Sequence, residues 1–125
     1  MILGIGTDVV EVADIARRIE NPPFLRLFSD RERAYAEAHP ARRAEIFAAR
    51  WAAKESFAKA LGTGLRAEWP LEEIEVVHDA NGRAIIEVGP ALRAYVPVPS
   101  RIHCSISHTS AYACAFVLIE SLQTG

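Results

Sequence analysis

The sequence predicts an α+β fold, an antiparallel sheet with helices packed on one of its faces. Two observations carry this. Apolar residues recur at helical spacing through the first half of the chain, up to Leu61, and from Glu73 onward the period shortens to two. The glycine-bearing segment Gly62-Thr63-Gly64 marks the end of the helical half. With 125 residues, half of them hydrophobic, the chain has the material for one domain, residues 1–125, and a second of ordinary size does not fit.

The elements follow in order. Ile2 to Val10 is apolar and β-branched but broken by Gly4 and Gly6, which suits a strand approached closely by other backbone, with Asp8 at its exit. Val12, Ile15, Ala16 and Ile19 give Glu11 to Glu20 helical spacing, with Asp14, Arg17 and Arg18 facing outward, and Asn21-Pro22-Pro23 stops the helix. Ser29-Asp30-Arg31-Glu32 has the form of a capping box, so a second helix starts there and ends near His39, before Pro40. The longest helix runs from about Ala41 to Leu61. Its expected core stripe is Phe47, Trp51, the stem of Lys54, Ala58 and Leu61, flanked by Phe57. Glu73 to His78 and Arg83 to Val88 read as strands joined through Asp79-Ala80-Asn81-Gly82, a strong hairpin signal. Gly89 to Tyr95 can make a short helix before the extended Pro97-Val98-Pro99. Ile102 to Ser107 and Tyr112 to Glu120 are the last strands, bracketing a turn from His108 to Ala111, and a frayed tail is expected after Ser121.

Composition excludes several classes of function. Fourteen basic against sixteen acidic residues give a formal charge of −2, without the cationic field on which nonspecific nucleic-acid binding relies. Basic surface is nevertheless available locally, because eight of the twelve arginines lie between Arg17 and Arg50. No apolar run approaches the ~20 residues of a membrane span, and the N-terminus lacks the pattern of a signal peptide, so the expected location is the cytoplasm. Cys104 and Cys114 form neither a disulfide framework nor a metal pair of the Cys-x-x-Cys kind.

Asp8, at a strand exit beside glycines, and Glu55, in a helix lined by alanine and aromatic residues, are the acids least like a solvated surface. Together they could hold one hard divalent ion, which takes one or two carboxylates and completes its shell with water and phosphate. The plain alternative is that Asp8 caps the first helix and Glu55 pairs with Lys59 one turn on. Against that pairing, Trp51, Glu55 and Lys59 share a stripe running into Gly62-Thr63-Gly64, whose backbone could approach a phosphate. A P-loop is absent, and Gly4-Ile5-Gly6 lacks the third glycine of a dinucleotide fingerprint. His103, Ser105 and Ser107 alternate with Cys104, Ile106 and His108. No nucleophile elbow supports a hydrolase there, and the spacing of His103, Cys104, His108 and Cys114 does not suit zinc.

GIGTDVVEV at the N-terminus, RWAAKESFAKALGTG in the long helix and HCSISHTSAYACAFVLIE at the end closely resemble the holo-[acyl-carrier-protein] synthases, small 4'-phosphopantetheinyl transferases. The likeness spans nearly the whole chain in the right order. It implies the 4'-phosphopantetheinyl transferase fold and Mg²⁺-dependent transfer of the phosphopantetheine arm of coenzyme A to a serine of apo acyl carrier protein, releasing adenosine 3',5'-bisphosphate, in fatty acid biosynthesis. By position it implies Asp8 and Glu55 as Mg²⁺ ligands, Lys59 at the pyrophosphate and His108 lining the same site, with Glu55, Lys59 and His108 as the catalytic set. Arg42 and Arg43 fall where the family meets the nucleotide's 3'-phosphate, and Arg50, Gly62, Thr63, Gly64 and Ser107 complete the expected coenzyme A contacts. The resemblance further implies a homotrimer whose sites lie between subunits. Family members often place a basic residue early in the first helix to hold the acidic carrier; here Val12-Ala13-Asp14 stands there, and Arg17 and Arg18 are the candidate docking residues. A noncatalytic binding module and a pyrophosphohydrolase are the competing readings, and a protein acceptor separates them.

Overall fold

The structure is a computed structural model describing residues 1–123; residues 124 and 125, part of the tail expected to fray, lie outside the described residues. Strand β1 (Ile2–Glu11) runs directly into helix α1 (Val12–Arg18), with Glu11 in extended geometry as the helix N-cap. Asn21-Pro22-Pro23 ends that helix and also begins another, because proline is preorganised for a first helical turn: α2 spans Pro22–Leu25. Helix α3 (Asp30–Glu37) carries both halves of the expected capping box. The Ser29 side chain accepts from the Glu32 backbone N–H, and the Glu32 carboxylate accepts from the Ser29 backbone N–H. A 3-10 turn at Pro40–Arg42 leads into α4 (Arg43–Ala60), two residues later than the sequence suggests.

The remaining strands divide over two sheets. β2 (Ile74–His78) and β3 (Ala84–Val88) form the expected hairpin, which stays separate. After the single helical turn α5 (Pro90–Arg93), β4 (Ser100–His108) and β5 (Tyr112–Ser121) join β1 in an antiparallel sheet of order β1-β5-β4. The expected single sheet is therefore a three-stranded sheet beside a two-stranded one, with every pairing antiparallel.

Helix α4 is the centre of the molecule. The sequence suggests one apolar stripe, yet residues on nearly every side of α4 are buried, Lys54 and Ser56 included, while Leu61 caps the helix at a half-buried position. Small side chains explain the difference. The alanines let β1 and β5 approach on one side, and α1, α3 and β2 pack on others. Gly4 and Gly6 do the same for β1, because a Cβ on Gly4 would collide with the Ala60 carbonyl and one on Gly6 with the Ser56 carbonyl. Phe28, Phe47 and Phe57 are fully buried around this helix and contribute about 1.5–3 kcal/mol each by area removed from water.

On the sheet, Ala113, Ala115, Val117 and Ile119 of β5 face α4. The opposite face carries Ile5, Val9, Tyr112 and Phe116, all exposed. The helices thus cover one face, as expected, and leave an apolar one open.

Candidate functional site

The backbone register places Asp8 opposite Ala115 in β1, directly over the half of α4 that carries Glu55 and Lys59. Lys59 turns away from Glu55: its Nζ donates to the Thr7 carbonyl at 3.0 Å and to Asp8 Oδ1 at 3.1 Å. The helical Glu55–Lys59 pair therefore does not form, and Asp8 does not cap α1, whose N-cap is Glu11. Asp8 Oδ2 is buried and has no hydrogen-bond partner. The Glu55 carboxyl is held above the usual carboxylate range, first by burial and second by the charge of Asp8, with Lys59, a Trp51 hydrogen bond and Arg18 pulling the other way. Asp8 and Lys59 line a shallow pocket of about 210 Å³, so an acid with an orphaned oxygen opens onto it, and the charge of Asp8 reaches the Glu55 carboxyl that resists ionising. Among the described residues no third His, Cys, Asp or Glu joins these two acids, which suits a hard divalent ion that draws its other ligands from water and phosphate.

Arg18 borders this cluster. Its guanidinium stacks 4.2 Å above the Phe24 ring and 5.0 Å from Trp51, close enough to act on Glu55. Arg17, by contrast, is paired with Asp14 at 3.3 Å on the exposed surface. The two candidate docking residues thus differ in what holds them.

His108 lies elsewhere. The sequence suggests a turn at this position, but β4 continues through it, pairing it with Ala113, on the sheet face toward α4. There its Nδ1 meets Glu45 Oε1, in the first turn of α4, at 2.9 Å. His108 also lines a groove of about 370 Å³ between β4 and the β2–β3 hairpin, together with His78, Arg83, Ala84 and Ile106. His78 is held below its usual range, mainly by burial and then by the charge of Arg50. Glu45 and Glu55 are ten residues apart on one helix, about 15 Å along its axis. Within one chain the structure therefore groups Asp8, Glu55 and Lys59 at one place and His108 at another.

The other expected contacts are scattered. Arg42, in the turn before α4, is exposed; Arg43 bonds Glu37 at 2.5 Å and lies 5.2 Å from the Phe47 ring. Arg50 does not reach solvent in the single chain. It is 2% exposed, stacked 4.6 Å from Tyr35, with its Nε unpartnered, and burial lowers its pKa against the pull of Glu32. Ser107 points to the open sheet face, opposite Cys114 and away from His108. Gly62 and Gly64 adopt positive φ, 83° and 68°, in the exposed turn with Thr63 after α4. Glu45 and the Arg18–Trp51–Glu55 contacts are the functional-site features the sequence pattern does not disclose, because each depends on how α4 is flanked.

Comparison with known proteins places these features in a family. The model of the 4'-phosphopantetheinyl transferase superfamily matches residues 4–117. A holo-[acyl-carrier-protein] synthase of Clavibacter sepedonicus is 44% identical over 124 residues, 96% of this chain and 97% of that protein. One from Geobacillus kaustophilus is 42% identical over 125 residues, 98% and 92% of the two chains. The crystal structure of a Bacillus anthracis holo-(acyl-carrier-protein) synthase in complex with coenzyme A superposes with a TM-score of 0.81 at 35% identity, covering 97% of this chain and 98% of that one. The Chronobacterium ammoniagenes synthase–coenzyme A complex does so with a TM-score of 0.84 at 30% identity, covering 96% and 98%.

Proposed function

The chain belongs to the 4'-phosphopantetheinyl transferase superfamily, and from that premise we propose that it is a holo-[acyl-carrier-protein] synthase, acting as a single transferase domain. It transfers the 4'-phosphopantetheine group from coenzyme A to a serine hydroxyl of apo acyl carrier protein. The serine oxygen forms a bond to the phosphorus carrying the pantetheine, the bond to the bridging pyrophosphate oxygen breaks, and adenosine 3',5'-bisphosphate leaves with that oxygen. The observation that carries the reading is the underpartnered cluster of Asp8, Glu55 and Lys59 in a chain of this family.

Asp8 and Glu55 are the residues that hold Mg²⁺, and the orphaned Asp8 Oδ2 and the high-lying Glu55 carboxyl fit that role. When bound, the ion neutralises charge on the pyrophosphate. Lys59, half exposed beside Asp8, brings a second positive charge to the same oxygens as the leaving group gains negative charge. A carboxylate of this cluster is placed to take the proton of the attacking hydroxyl. Arg42 and Arg43 flank the start of α4 as the basic residues for the 3'-phosphate, and Arg17 and Arg18 face the acidic carrier.

The working form is a homotrimer with sites between subunits. Two features support it. The Asp8–Glu55–Lys59 and His108 halves of the site lie apart in one chain, and the sheet face bearing Ile5, Val9, Tyr112 and Phe116 needs a cover. No helix among the described residues is long and apolar enough to cross a membrane, in keeping with work in the cytoplasm on fatty acid biosynthesis. The test is mass spectrometry of apo carrier protein after incubation with coenzyme A and Mg²⁺. A gain of one phosphopantetheine on the carrier is expected. Cleavage of coenzyme A without labelling of the carrier, or binding without either, would overturn the reading.

A further inference from the structure

The His108–Glu45 contact joins the end of β4 to the first turn of α4, and both side chains are mostly shielded, at 28% and 20% exposure. A glutamate carboxylate can only accept, so Nδ1 of His108 must be the donor and must carry a proton. The tautomer is thereby fixed: the neutral ring keeps its proton on Nδ1, and the protonated ring has a second N–H on Nε2. Among the described residues Nε2 has no hydrogen-bond partner, and His108 lines the groove that also contains His78 and Arg83. No carboxylate lines that groove, so its chemistry suits an anion.

We infer that Glu45 is a positioning residue that turns His108 so that Nε2 faces the groove, where the protonated ring donates its Nε2–H to a phosphate oxygen of coenzyme A. The inference rests on the proposed transfer activity for the identity of the ligand, and on geometry alone for the orientation of the ring. Glu45 acts through His108 and does not touch the reacting atoms. Losing it frees the ring to rotate about its side-chain bonds, so the phosphate contact is no longer preorganised. The effect belongs to coenzyme A binding, and the carrier protein is unaffected by it.

Two measurements test this on the full chain. Long-range proton–nitrogen NMR of wild type, with the ring neutral, should show His108 in the Nδ1–H form, and the Nε2–H form would overturn the inference without any variant. In steady-state transfer, Glu45→Ala should raise KM for coenzyme A by about tenfold, the scale of one lost charge-assisted hydrogen bond, with kcat and KM for the carrier nearly unchanged. Glu45→Gln should restore most of the affinity, because its amide oxygen still accepts from Nδ1–H. Running 3'-dephospho-coenzyme A alongside assigns the phosphate: a penalty that disappears places the contact on the 3'-phosphate, and an equal penalty places it on the pyrophosphate. A Glu45→Ala protein with a lowered melting temperature but an unchanged KM for coenzyme A would reduce the contact to a tie between β4 and α4 and overturn the inference. Wild type that fails to label the carrier would refute the transfer reading instead, leaving the tautomer measurement to stand by itself.

Discussion

Helix α4 carries the chain's two lysines five residues apart, and their surroundings are opposite. Lys54 is fully buried, and its Nζ donates to Glu32 Oε1 at 2.8 Å, to the Leu71 carbonyl at 2.9 Å and to the Ile74 carbonyl at 2.5 Å. Glu32, equally buried, also accepts from the backbone N–H groups of Ser29 and Val76, so one ion pair ties α3, α4 and the β2 hairpin together. Every charge there is matched within the chain. Lys59 is half exposed, and of the two carboxylates near it one has an oxygen with no partner and the other is held above its usual range. A saturated network builds the fold, and an unsaturated one is the cluster on which the proposed transfer site rests.

The largest expected effect comes from opening the saturated network. Lys54→Met leaves Glu32 charged, buried and underpartnered, a change of about 3–5 kcal/mol, enough to unfold a marginal domain, and chemical denaturation measures it. Pairing it with Glu32→Gln should recover much of the loss, because the amide still accepts from Ser29 while the uncompensated charge is gone. A double variant no more stable than the single one would remove the distinction between the two lysines.

Glu55→Gln should do the reverse, abolishing transfer while raising the melting temperature of the metal-free protein at neutral pH. The sign follows from the direction of the shift. A carboxyl whose folded pKa is raised favours the folded state while it is protonated and loses that contribution as pH rises through the folded value, so the charge opposes folding at pH 7. The gain in melting temperature should therefore shrink toward about pH 4, where the wild-type carboxyl is itself protonated. Lys59→Ala should lower kcat by about ten- to a hundredfold with a smaller change in KM for coenzyme A, since its charge matters most as the leaving phosphate gains charge. An unchanged kcat would leave Lys59 no more than a partner for Asp8.

Much of this arrangement was legible in the sequence because local chemistry dictated it. The Ser29–Glu32 capping box, the hairpin turn after His78 and the close approach at Gly4 and Gly6 all depend on neighbours within a few residues or on the absence of a side chain. Asp8 and Glu55 stood out for the same reason, as acids in unpolar company. What pattern could not reveal is which of several equivalent partners a long side chain chooses. Lys59 takes Asp8 across 51 residues in place of Glu55 at four, Glu32 serves Lys54 as well as its own cap, and His108 finds Glu45. Arg50, expected at the ligand, is buried against Tyr35 because α3 folds over it.

The smallest expected effect separates the two neighbouring arginines of α1. Arg18 is held against Phe24 and Trp51 beside the acid cluster, while Arg17 is already paired with Asp14. Arg18→Glu should raise KM for the carrier several-fold at low salt, Arg17→Glu by less, and both effects should fade near 0.5 M salt, where the Debye length is about 4 Å. Equal carrier KM values for both variants and wild type at low salt would place docking on Arg26, Arg31 or Arg33.

The saturated network is complete within one chain, whereas the unsaturated cluster and His108 lie apart in it, and in the proposed trimer they meet across subunits. Co-assembling Glu55→Gln chains with His108→Ala chains, each impaired alone, tests this most directly. In a mixed assembly some sites combine an intact Glu55 from one chain with an intact His108 from its neighbour. The account expects carrier labelling by the co-assembled protein to exceed the summed rates of the two variants assembled separately. Labelling that never rises above that sum would contradict a site shared between subunits.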